Sequence, residues 1–402
     1  MTVMNRMNST RHWKILPFTG CLKKVKTKKK LSIPKTDYQE SGEFPVIDQG
    51  ASFVAGWTDS AEAVISDNLP VVIFGDHTRI FKYVDFPFAL GADGTQLLYP
   101  NDEILDPHFF YYALLNLKVP NKGYNRHYRY LREFSVVCPP LPEQRAIAHV
   151  LQTIQEAKFT RQREIELEQE RKAALMDHLF SHSTKGEPRK QTEIGEIPES
   201  WEVVRLGDYC DKPDYGYTES ANDSPVGPKF LRITDIQNDA VNWENVPYCI
   251  CSEEIKEKYL LKTGDIVIAR IGATTGKAYI IDDCPEAIFA SYLIRVRTKH
   301  NLLPIFLAQY FRTNNYWRQI DQSKGGRLKG GVNIPILSHL VLPLPPLSEQ
   351  QQISEILQAC DTKITALEQE TQHLDELFHA MLDELMTGQR SAVPLINTKL
   401  SS

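Results

Sequence analysis

Hydrophobic side chains recur at intervals of three and four residues along two long stretches of the chain, residues 141–182 and 343–388. Prolines cluster around the start of each stretch, where a helix tolerates them, and none lies further along it. Gly388 is a typical C-terminal stop. The pattern predicts two long helices, and the second has a coiled-coil seam formed by Ile353, Leu357, Cys360, Ile364, Leu367, Leu374, Phe378, Met381 and Leu385.

The first helix has a less continuous seam. Polar side chains occupy seam positions between its apolar residues, namely Lys158, Arg161, Glu168 and Lys172. Because such a stripe is poorly suited to stand alone, we predict that the two helices pack together as an antiparallel coiled coil. Ordinary bundle packing without a spacer role is the alternative.

The two helices are copies of one another. Residues 141–147 and 347–353 both begin Leu-x-Glu-Gln and end in Ile, and an offset of 206 also aligns Leu151 with Leu357 without a gap. Loops drift in length, so an ungapped match favours one continuous element. A helix of 35 to 40 residues would form a rod of roughly 55 Å.

A block of short β-branched and aromatic runs, bounded by Gly, Asp, Asn and Pro, precedes each helix and predicts strands. Each block has one short helix candidate, beginning at Pro107 or Pro304. We predict an α+β fold with two β-rich domains, each followed by a long helix, and an internal pseudo-two-fold repeat. The second half opens at Trp201, and Trp13 provides a faint echo of it. The predicted segments are 1–140 (first domain), 141–182 (first helix), 183–200 (linker), 201–342 (second domain), 343–388 (second helix) and 389–402 (tail).

Composition and charge refine this picture only slightly. A net charge of −5 argues against a nucleic-acid partner, but residues 1–140 carry seventeen Lys and Arg against fourteen Asp and Glu. A bound polyanion would therefore need local basic loops and help from partner subunits. No apolar run is long enough to span a bilayer, and the seven cysteines lack metal-ligand spacing. We expect a cytoplasmic protein with reduced thiols and no membrane partner.

Four strings, residues 139–147, 195–201, 264–277 and 345–353, resemble recurring segments of the specificity subunits of Type I restriction-modification enzymes. The most specific feature is the order of domain, helix, domain, helix, with the helix-start motif present twice. The resemblance covers nearly the whole chain. It implies that each domain reads one half of a split, asymmetric target in the major groove of double-stranded DNA.

The same resemblance implies that the paired helices set the spacing of the domains and dock two methyltransferase subunits, which restriction subunits then join. S-adenosylmethionine, ATP and magnesium are expected in those partners, and this chain is expected to hold no cofactor or metal. We assign the docking and spacer role to Glu143, Gln144, Ile147, Leu151, Glu349, Gln350, Ile353 and Leu357.

The first domain interleaves basic and aromatic residues over 122–130, as nucleic-acid-binding loops do. Lysines are also concentrated over residues 23–30. Tyrosines that cap an ordinary core, and a solvated lysine arm, are the alternatives. The predicted DNA-binding residues of this domain are Lys23, Lys24, His77, Thr78, Arg79, Lys122, Tyr124, Arg126, His127, Tyr128 and Arg129.

In the second domain, residues 272–277 read Gly-Ala-Thr-Thr-Gly-Lys, which differs from a nucleotide phosphate loop. Three residues rather than four separate the glycines, and Ala278 replaces the required Ser or Thr. We predict a strand-to-strand turn that presents side chains to DNA, with a purely structural turn or solvated loop as the alternative. The predicted DNA-binding residues here are Tyr215, Tyr217, Thr218, Arg270, Thr274, Thr275, Lys277, Lys324, Arg327 and Lys329.

The chain contains no string typical of an amino-methyltransferase, a zinc protease or a serine hydrolase. We therefore predict a non-enzymatic DNA-recognition subunit, without catalytic residues, that methylation and restriction by the complex both require. One rival function is a self-contained restriction-methylation protein. The other is a coiled-coil scaffold whose domains bind proteins rather than DNA.

Overall fold

The computed structural model describes residues 13–25, 32–91, 94–123, 125–237, 239–323 and 330–394. The chain forms two compact units. Unit 1 comprises residues 1–163 and 368–402, and unit 2 comprises residues 164–367. Each unit therefore contains one globular domain and a segment of each predicted long helix.

The described part of unit 1 contains three β-sheets, with strand orders β1-β9, β3-β2-β7-β4 and β6-β5-β8. Strand β1 runs antiparallel to β9, so the domain begins and ends on neighbouring strands. The pair β2 and β7 is parallel. The strands are β1 (Lys14–Pro17), β2 (Phe44–Ile47), β3 (Gly56–Thr58), β4 (Val64–Ile65), β5 (Val71–Gly75), β6 (Phe81–Val84), β7 (Phe88–Leu90), β8 (Thr95–Leu98) and β9 (Ser135–Cys138).

The helices of unit 1 are α1 (Pro107–Leu115), α2 (Tyr128–Leu131) and the first part of α3 (Leu141–Leu179). The Asp106 carboxylate caps α1 by accepting the Phe109 backbone N–H at 3.0 Å, and Pro107 stands at the first helical position. One apolar core joins the domain to the helix segments of this unit. Its buried members include Phe18, Phe74, Phe109, Ile147, Leu151, Phe378 and Leu382.

The described part of unit 2 contains sheets with strand orders β10-β11, β12-β21, β13-β20-β17-β18, β14-β19 and β15-β16. Strand β12 runs antiparallel to β21, so this domain also begins and ends on neighbouring strands. The strands are β10 (Arg189–Thr192), β11 (Gly195–Pro198), β12 (Glu202–Arg205), β13 (Asp214–Tyr215), β14 (Lys229–Leu231), β15 (Ile236–Gln237), β16 (Ala240–Val241), β17 (Ile266–Ala269), β18 (Ala278–Ile280), β19 (Ala287–Phe289), β20 (Leu293–Val296) and β21 (Val341–Leu344).

The remaining helices are α4 (Leu206–Tyr209), α5 (Glu253–Tyr259), α6 (Pro304–Tyr310), α7 (Asn314–Ser323), α8 (Ile334–His339) and α9 (Leu347–Met386). Ser252 and Asn333 cap α5 and α8 with their side-chain oxygens. The largest core of unit 2 joins the β-sheet to segments of α3 and α9. Its buried members include Trp201, Ile268, Phe306, Tyr316, Ile353 and Leu357.

The polar seam residues of α3 contact α9 within each unit. In unit 1, Lys158 pairs with Asp375, and the Arg161 Nε lies 2.8 Å from a carboxylate oxygen of Glu370. Because the partner number falls as the α3 number rises, the two segments run antiparallel.

In unit 2, Lys172 pairs with Asp361, and the Lys363 Nζ lies 2.8 Å from a carboxylate oxygen of Glu168. The descending order is the same, so these segments also run antiparallel. The prediction that the first helix packs against the second is thus confirmed inside each unit. A regular coiled-coil geometry stays a prediction.

Two predicted segments have more structure than expected. Residues 189–198, inside the predicted linker, form a β-hairpin of β10 and β11. The predicted second helix included residues 343 and 344. These residues instead form the end of β21, where they pair with β12. Proline at 345 and 346 then separates this strand from the start of α9 at Leu347.

Candidate nucleic-acid interface

The start of α3 is tied to the domain before it by two buried side chains, Glu143 and Gln144. The Trp13 indole N–H donates to a Glu143 carboxylate oxygen at 3.1 Å. The Gln144 amide donates to the carbonyls of Pro139 at 2.8 Å and Ile104 at 3.1 Å. Its oxygen accepts the Asp106 backbone N–H at 2.8 Å. We call this arrangement, with its counterpart at Glu349 and Gln350, the helix-start clamp.

The start of α9 repeats the clamp. The Trp201 indole N–H donates to a Glu349 carboxylate oxygen at 3.0 Å. The Gln350 amide donates to the carbonyls of Pro345 at 2.9 Å and Asn301 at 3.0 Å, and its oxygen accepts the Leu303 N–H at 2.9 Å. The faint sequence echo at Trp13 is therefore a true structural equivalence with Trp201.

The clamp changes the interpretation of the residues assigned to subunit docking. All eight are buried within the chain, and the four apolar ones belong to its cores: Glu143, Gln144, Ile147, Leu151, Glu349, Gln350, Ile353 and Leu357. Because these side chains are buried, they are not available for direct contact with a partner subunit. They fasten each domain to its helix, and a docking surface has to use exposed side chains.

The two domains share one strand arrangement, although their sequences match poorly. Each has a parallel pair, β2 with β7 and β14 with β19. Each also has an antiparallel trio, β6-β5-β8 and β18-β17-β20. The hairpin β5-β6 therefore corresponds to β17-β18. We call residues 76–80 the first hairpin turn and residues 270–277 the second hairpin turn.

In unit 1, backbone hydrogen bonds fix Asp76 at the start of the first hairpin turn. Its N–H donates to the Gly94 carbonyl at 2.7 Å, and its carbonyl accepts the His127 N–H at 2.9 Å. The Gly75 N–H, one residue earlier, donates to the Ile80 carbonyl at 2.9 Å and closes the turn. The predicted segments around 77–79 and 122–129 thus lie side by side.

In unit 2, the same three bonds fix Arg270. Its N–H donates to the Tyr292 carbonyl at 2.9 Å, its carbonyl accepts the Val332 N–H at 2.9 Å, and the Ala269 N–H donates to the Lys277 carbonyl at 2.8 Å. Arg270 is therefore the structural equivalent of Asp76, and Val332 is the equivalent of His127.

The equivalent side chains have different environments. The Asp76 carboxylate is buried and accepts the Tyr128 backbone N–H at 2.7 Å. The Arg270 guanidinium is half-buried and lies over the Tyr215 ring, 4.6 Å from its centroid. Asp76 thus serves the interior of its domain, whereas Arg270 remains near the surface.

The first hairpin turn includes three of the predicted residues in constrained positions. The Thr78 hydroxyl donates to the Gln49 carbonyl at 2.6 Å, and the His77 N–H donates to the Gln49 side-chain oxygen at 3.2 Å. Arg79 has a φ of 63° and donates to the Val119 carbonyl at 3.2 Å. Gln49 was not predicted, because nothing in its local sequence shows that it supports a turn almost thirty residues later.

Two predicted DNA-binding residues are buried, and this corrects their assignment. The His127 ring is fully enclosed, with Nδ1 2.8 Å from the Asp76 carbonyl oxygen, and Thr275 donates its hydroxyl to the Gly272 carbonyl at 2.7 Å. Both side chains stabilise turns. The exposed or half-buried candidates are Lys23, Lys24, His77, Thr78, Arg79, Lys122, Arg126, Tyr128, Arg129, Tyr215, Tyr217, Thr218, Arg270, Thr274 and Lys277. Tyr124, Lys324, Arg327 and Lys329 lie outside the described residues.

Several exposed candidates have intramolecular contacts. Lys23 forms a surface ion pair with Asp102 at 3.2 Å, and the Arg129 guanidinium lies 4.6 Å from the Tyr130 ring centroid. Such contacts are weak enough in water to be exchanged for a phosphate. The described structure therefore leaves these cations available to a polyanion.

Glycine in the loop of Tyr215 and Tyr217 is required by close packing rather than by flexibility. A Cβ on Gly216 would lie 2.3 Å from the carbonyl oxygens of both Phe289 and Ala290. Gly276, in the second hairpin turn, has a φ of 93°, which other residues rarely adopt. These glycines hold the candidate side chains in fixed places.

Two surface residues beside Arg270 were missed by the sequence analysis. Tyr292 is 56% exposed and Ile271 is 40% exposed. Tyr292 accepts the Arg270 N–H through its backbone carbonyl, and Ile271 follows Arg270 directly in the chain. Tyr292 directly precedes β20.

One buried cation organises the loop that contains Gln49. The Lys82 ammonium is buried and donates to the carbonyls of Asp48 at 2.8 Å and Ser52 at 2.5 Å. Burial lowers the pKa of Lys82, and the nearby Asp48 carboxylate opposes this shift. Lys82 is therefore a structural residue rather than a DNA contact.

Across the described ranges, no group of three or more His, Cys, Asp or Glu side chains is arranged to hold a metal ion. A search of the same ranges found no helix long and apolar enough to cross a membrane.

Comparisons with known proteins agree with this arrangement. The family model described as Type I restriction modification DNA specificity domain matches the chain twice, at residues 19–169 and 198–376. The MjaVIII specificity subunit of Methanocaldococcus jannaschii is 28% identical over 315 residues, which are 72% of this chain and 71% of that protein. The EcoR124I/EcoR124II specificity subunit of Escherichia coli is 23% identical over 368 residues, 85% of each chain.

Solved structures show the same fold. The S subunit of a Type I restriction-modification system from M. genitalium aligns with a TM-score of 0.60 at 16% identity, covering 94% of this chain and 97% of that one. A chain from work on complex assembly and conformational transition of the type I R-M system aligns with a TM-score of 0.53 at 16% identity, covering 93% and 97%. With two matched domains, the repeated clamp and this shared fold, the chain belongs to the family of Type I restriction-modification DNA specificity subunits.

Proposed function

We propose that this specificity subunit reads a bipartite, asymmetric DNA target, with one half-site contacted by each unit through the major groove. The observation that carries the proposal is the equivalence of the two hairpin turns. The same backbone bonds hold them in place, but their side chains differ. One fold that presents two different surfaces suits the recognition of two different half-sites.

The helices supply the second part of the proposal. α3 and α9 are continuous over 39 and 40 residues, which corresponds to roughly 60 Å each. We assign them the spacing of the two half-sites, with several uncontacted base pairs between. The buried clamp supports this role, because it fixes each domain to the first turns of a helix.

The helices are also assigned as docking sites for two methyltransferase subunits. Large apolar side chains are exposed along them, including Phe159 at 75% and Leu377 at 46% in unit 1, and Leu167 at 48% in unit 2. We propose that these side chains contribute to the docking surface, since apolar and aromatic side chains are common at the cores of protein interfaces. Restriction subunits, S-adenosylmethionine, ATP and magnesium then belong to the partner side of the complex, which performs methylation and cleavage.

The test is a genome-wide map of methylated bases in a cell that carries the intact system. We expect two short fixed sequences separated by a gap of constant length. Methylation without a fixed sequence, or with one contiguous target, would contradict the proposal.

The rival functions predict different results. A self-contained enzyme would transfer methyl groups from S-adenosylmethionine to DNA without partner subunits, and the purified chain should not do so. A protein-binding scaffold is not favoured by the family, and it would confer no duplex preference on the complex with the methyltransferase in a selection from random DNA.

A further inference from the structure

We infer that Arg270 is a specificity-determining residue of unit 2 that recognises a guanine in its half-site. The inference rests on the proposed function and adds the base that one side chain reads. It starts from the contact between Arg270 and Tyr215, at the beginning of the second hairpin turn.

The Tyr215 ring holds the Arg270 guanidinium by its face. The guanidinium carbon lies over the ring, 4.6 Å from its centroid, and the ring face attracts the cation without accepting its N–H groups in a conventional hydrogen bond. The ring is fixed in turn, because the Tyr215 hydroxyl accepts the Ile334 backbone N–H at 3.3 Å. The arginine fork is thus positioned before any ligand arrives.

Neighbouring arginines in the same sheet are neutralised, and this distinguishes Arg270 from them. Arg295 pairs with Asp214 at 2.7 Å, and Arg297 pairs with Asp265 at 2.6 Å. Among the residues that the structure describes, no carboxylate lies within ion-pair distance of Arg270. Its donors are therefore available to acceptors outside the protein.

The comparison with Asp76 favours a base over a phosphate as the ligand. Phosphate contacts carry no sequence information, so two domains that bind the same duplex would both need them. The equivalent position in unit 1 is an aspartate whose carboxylate is buried inside the domain. This position has a cation near the surface in unit 2 and a buried carboxylate in unit 1. It is therefore suited to a contact that is made at one half-site and not at the other.

Guanine is the base that fits this fork. Its O6 and N7 are two neighbouring acceptors in the major groove, and a planar guanidinium donates to both at once. Tyr292, whose backbone carbonyl accepts the Arg270 N–H, and Ile271, the next residue in the chain, add exposed apolar surface to this part of the domain.

The experiment compares methylated-base maps of the intact system containing wild-type, Arg270→Ala or Arg270→Lys subunits. In the wild-type map we expect one half-site to contain a fixed G·C pair that both substitutions relax. Lysine keeps the charge but loses the bidentate fork. The preference for that pair should fall by roughly 5- to 150-fold, and the other half-site should stay unchanged.

Arg205→Ala is the matched control, since Arg205 is an exposed arginine of unit 2 on a different sheet, and its map should equal the wild type. The thermal melting temperature of each complex distinguishes misfolding from altered recognition. If the Arg270→Ala subunit fails to assemble, the methylated-base map of the Arg270→Lys variant still tests the inference.

The outcomes separate the two proposals. An unchanged map for both Arg270 variants overturns the inference while leaving the bipartite function intact. Uniformly weaker methylation with an unchanged target, rescued by lysine, identifies a phosphate contact and also overturns it. A wild-type map without two half-sites contradicts the proposed function itself.

Discussion

The helix-start clamps and the hairpin turns are two places where the halves of this chain can be compared residue by residue. At the clamps, Glu143 and Glu349 accept the same kind of indole N–H, and Gln144 and Gln350 have matching amide partners. At the turns, the backbone hydrogen bonds match, but the equivalent residues differ: Asp76 in unit 1 and Arg270 in unit 2. The clamp keeps both backbone and side chain, whereas the turn keeps only its backbone.

The difference shows how one fold can be constant and variable at once. A buried amide that satisfies three backbone groups cannot be exchanged without leaving donors or acceptors unpaired. A turn that is held by its own backbone tolerates any side chain that fits. We therefore expect substitutions at the clamps to change stability and substitutions at the turns to change recognition.

The largest effect should come from the clamps. Gln144→Ala and Gln350→Ala each remove the partner of three backbone groups, including the carbonyl of a buried proline, so each should lower the free energy of unfolding by about 2–4 kcal/mol. Denaturant unfolding of the purified chain measures this. Gln351→Ala is the control, because that side chain is exposed and donates its hydrogen bond to Glu355, one turn away on the same helix. Unequal losses of unfolding free energy in the two variants would contradict the equivalence of the two helix-start clamps.

At the two turns, equivalent substitutions should give opposite results. Asp76→Ala removes a buried acceptor of the Tyr128 N–H and should cost about 1.5–3 kcal/mol in unfolding free energy. Arg270→Ala removes a surface stacking contact and should cost less than about 1 kcal/mol. If Arg270→Ala proved as destabilising as Asp76→Ala, the second turn would also depend on its side chain.

The polar seam predicts that the stability of the folded chain depends on pH. The Lys363 ammonium holds the pKa of Glu168 below its usual value of 4.5, and Arg171 adds to this shift. A lowered pKa means that the ionised carboxylate stabilises the folded state above that value, and that this stability is lost as the pH falls through the folded pKa.

Glu168→Gln should therefore reduce stability at pH 7, and the difference from wild type should shrink below about pH 4. Glu170→Gln, at an exposed position two residues later, should show neither effect. Denaturant unfolding at several pH values provides the comparison, and a pH-independent difference for Glu168→Gln would count against the ion pair.

The smallest effect concerns the ring beneath Arg270. Tyr215→Leu removes the stacking surface, so the preference for the G·C pair should fall roughly two- to fivefold. Tyr215→Phe keeps the ring and should retain the preference. Methylated-base maps of both variants give the result, and equal maps for leucine and phenylalanine would show that the ring is not needed.

The repeated helices could be predicted from sequence because both copies keep their spacing and their buried Glu-Gln pair. The polar seam residues were equally informative, because Lys158 and Lys172 form ion pairs with α9, as expected if the two helices pack together. The equivalence of Trp13 and Trp201 was only faintly visible. It depends on hydrogen bonds to residues more than a hundred positions away.

The hairpin turns were harder to predict for a physical reason. Their equivalence lies in backbone hydrogen bonds, which leave no trace in residue identity, so Asp76 and Arg270 could not be aligned from the sequence. The basic and aromatic pattern also did not distinguish His127, which is enclosed, from Arg126, which is exposed. Burial of a single ring depends on tertiary contacts that local composition does not record.

The pairing of β1 with β9, and of β12 with β21, has a consequence for inheritance. The first and last strands of each domain are neighbours, so both ends of the domain lie close together. Recombination between related genes at these strands would replace a whole domain while leaving α3, α9 and their ion pairs in place. If the two domains were exchanged independently, the number of possible targets would be the product, not the sum, of the numbers of first and second domains.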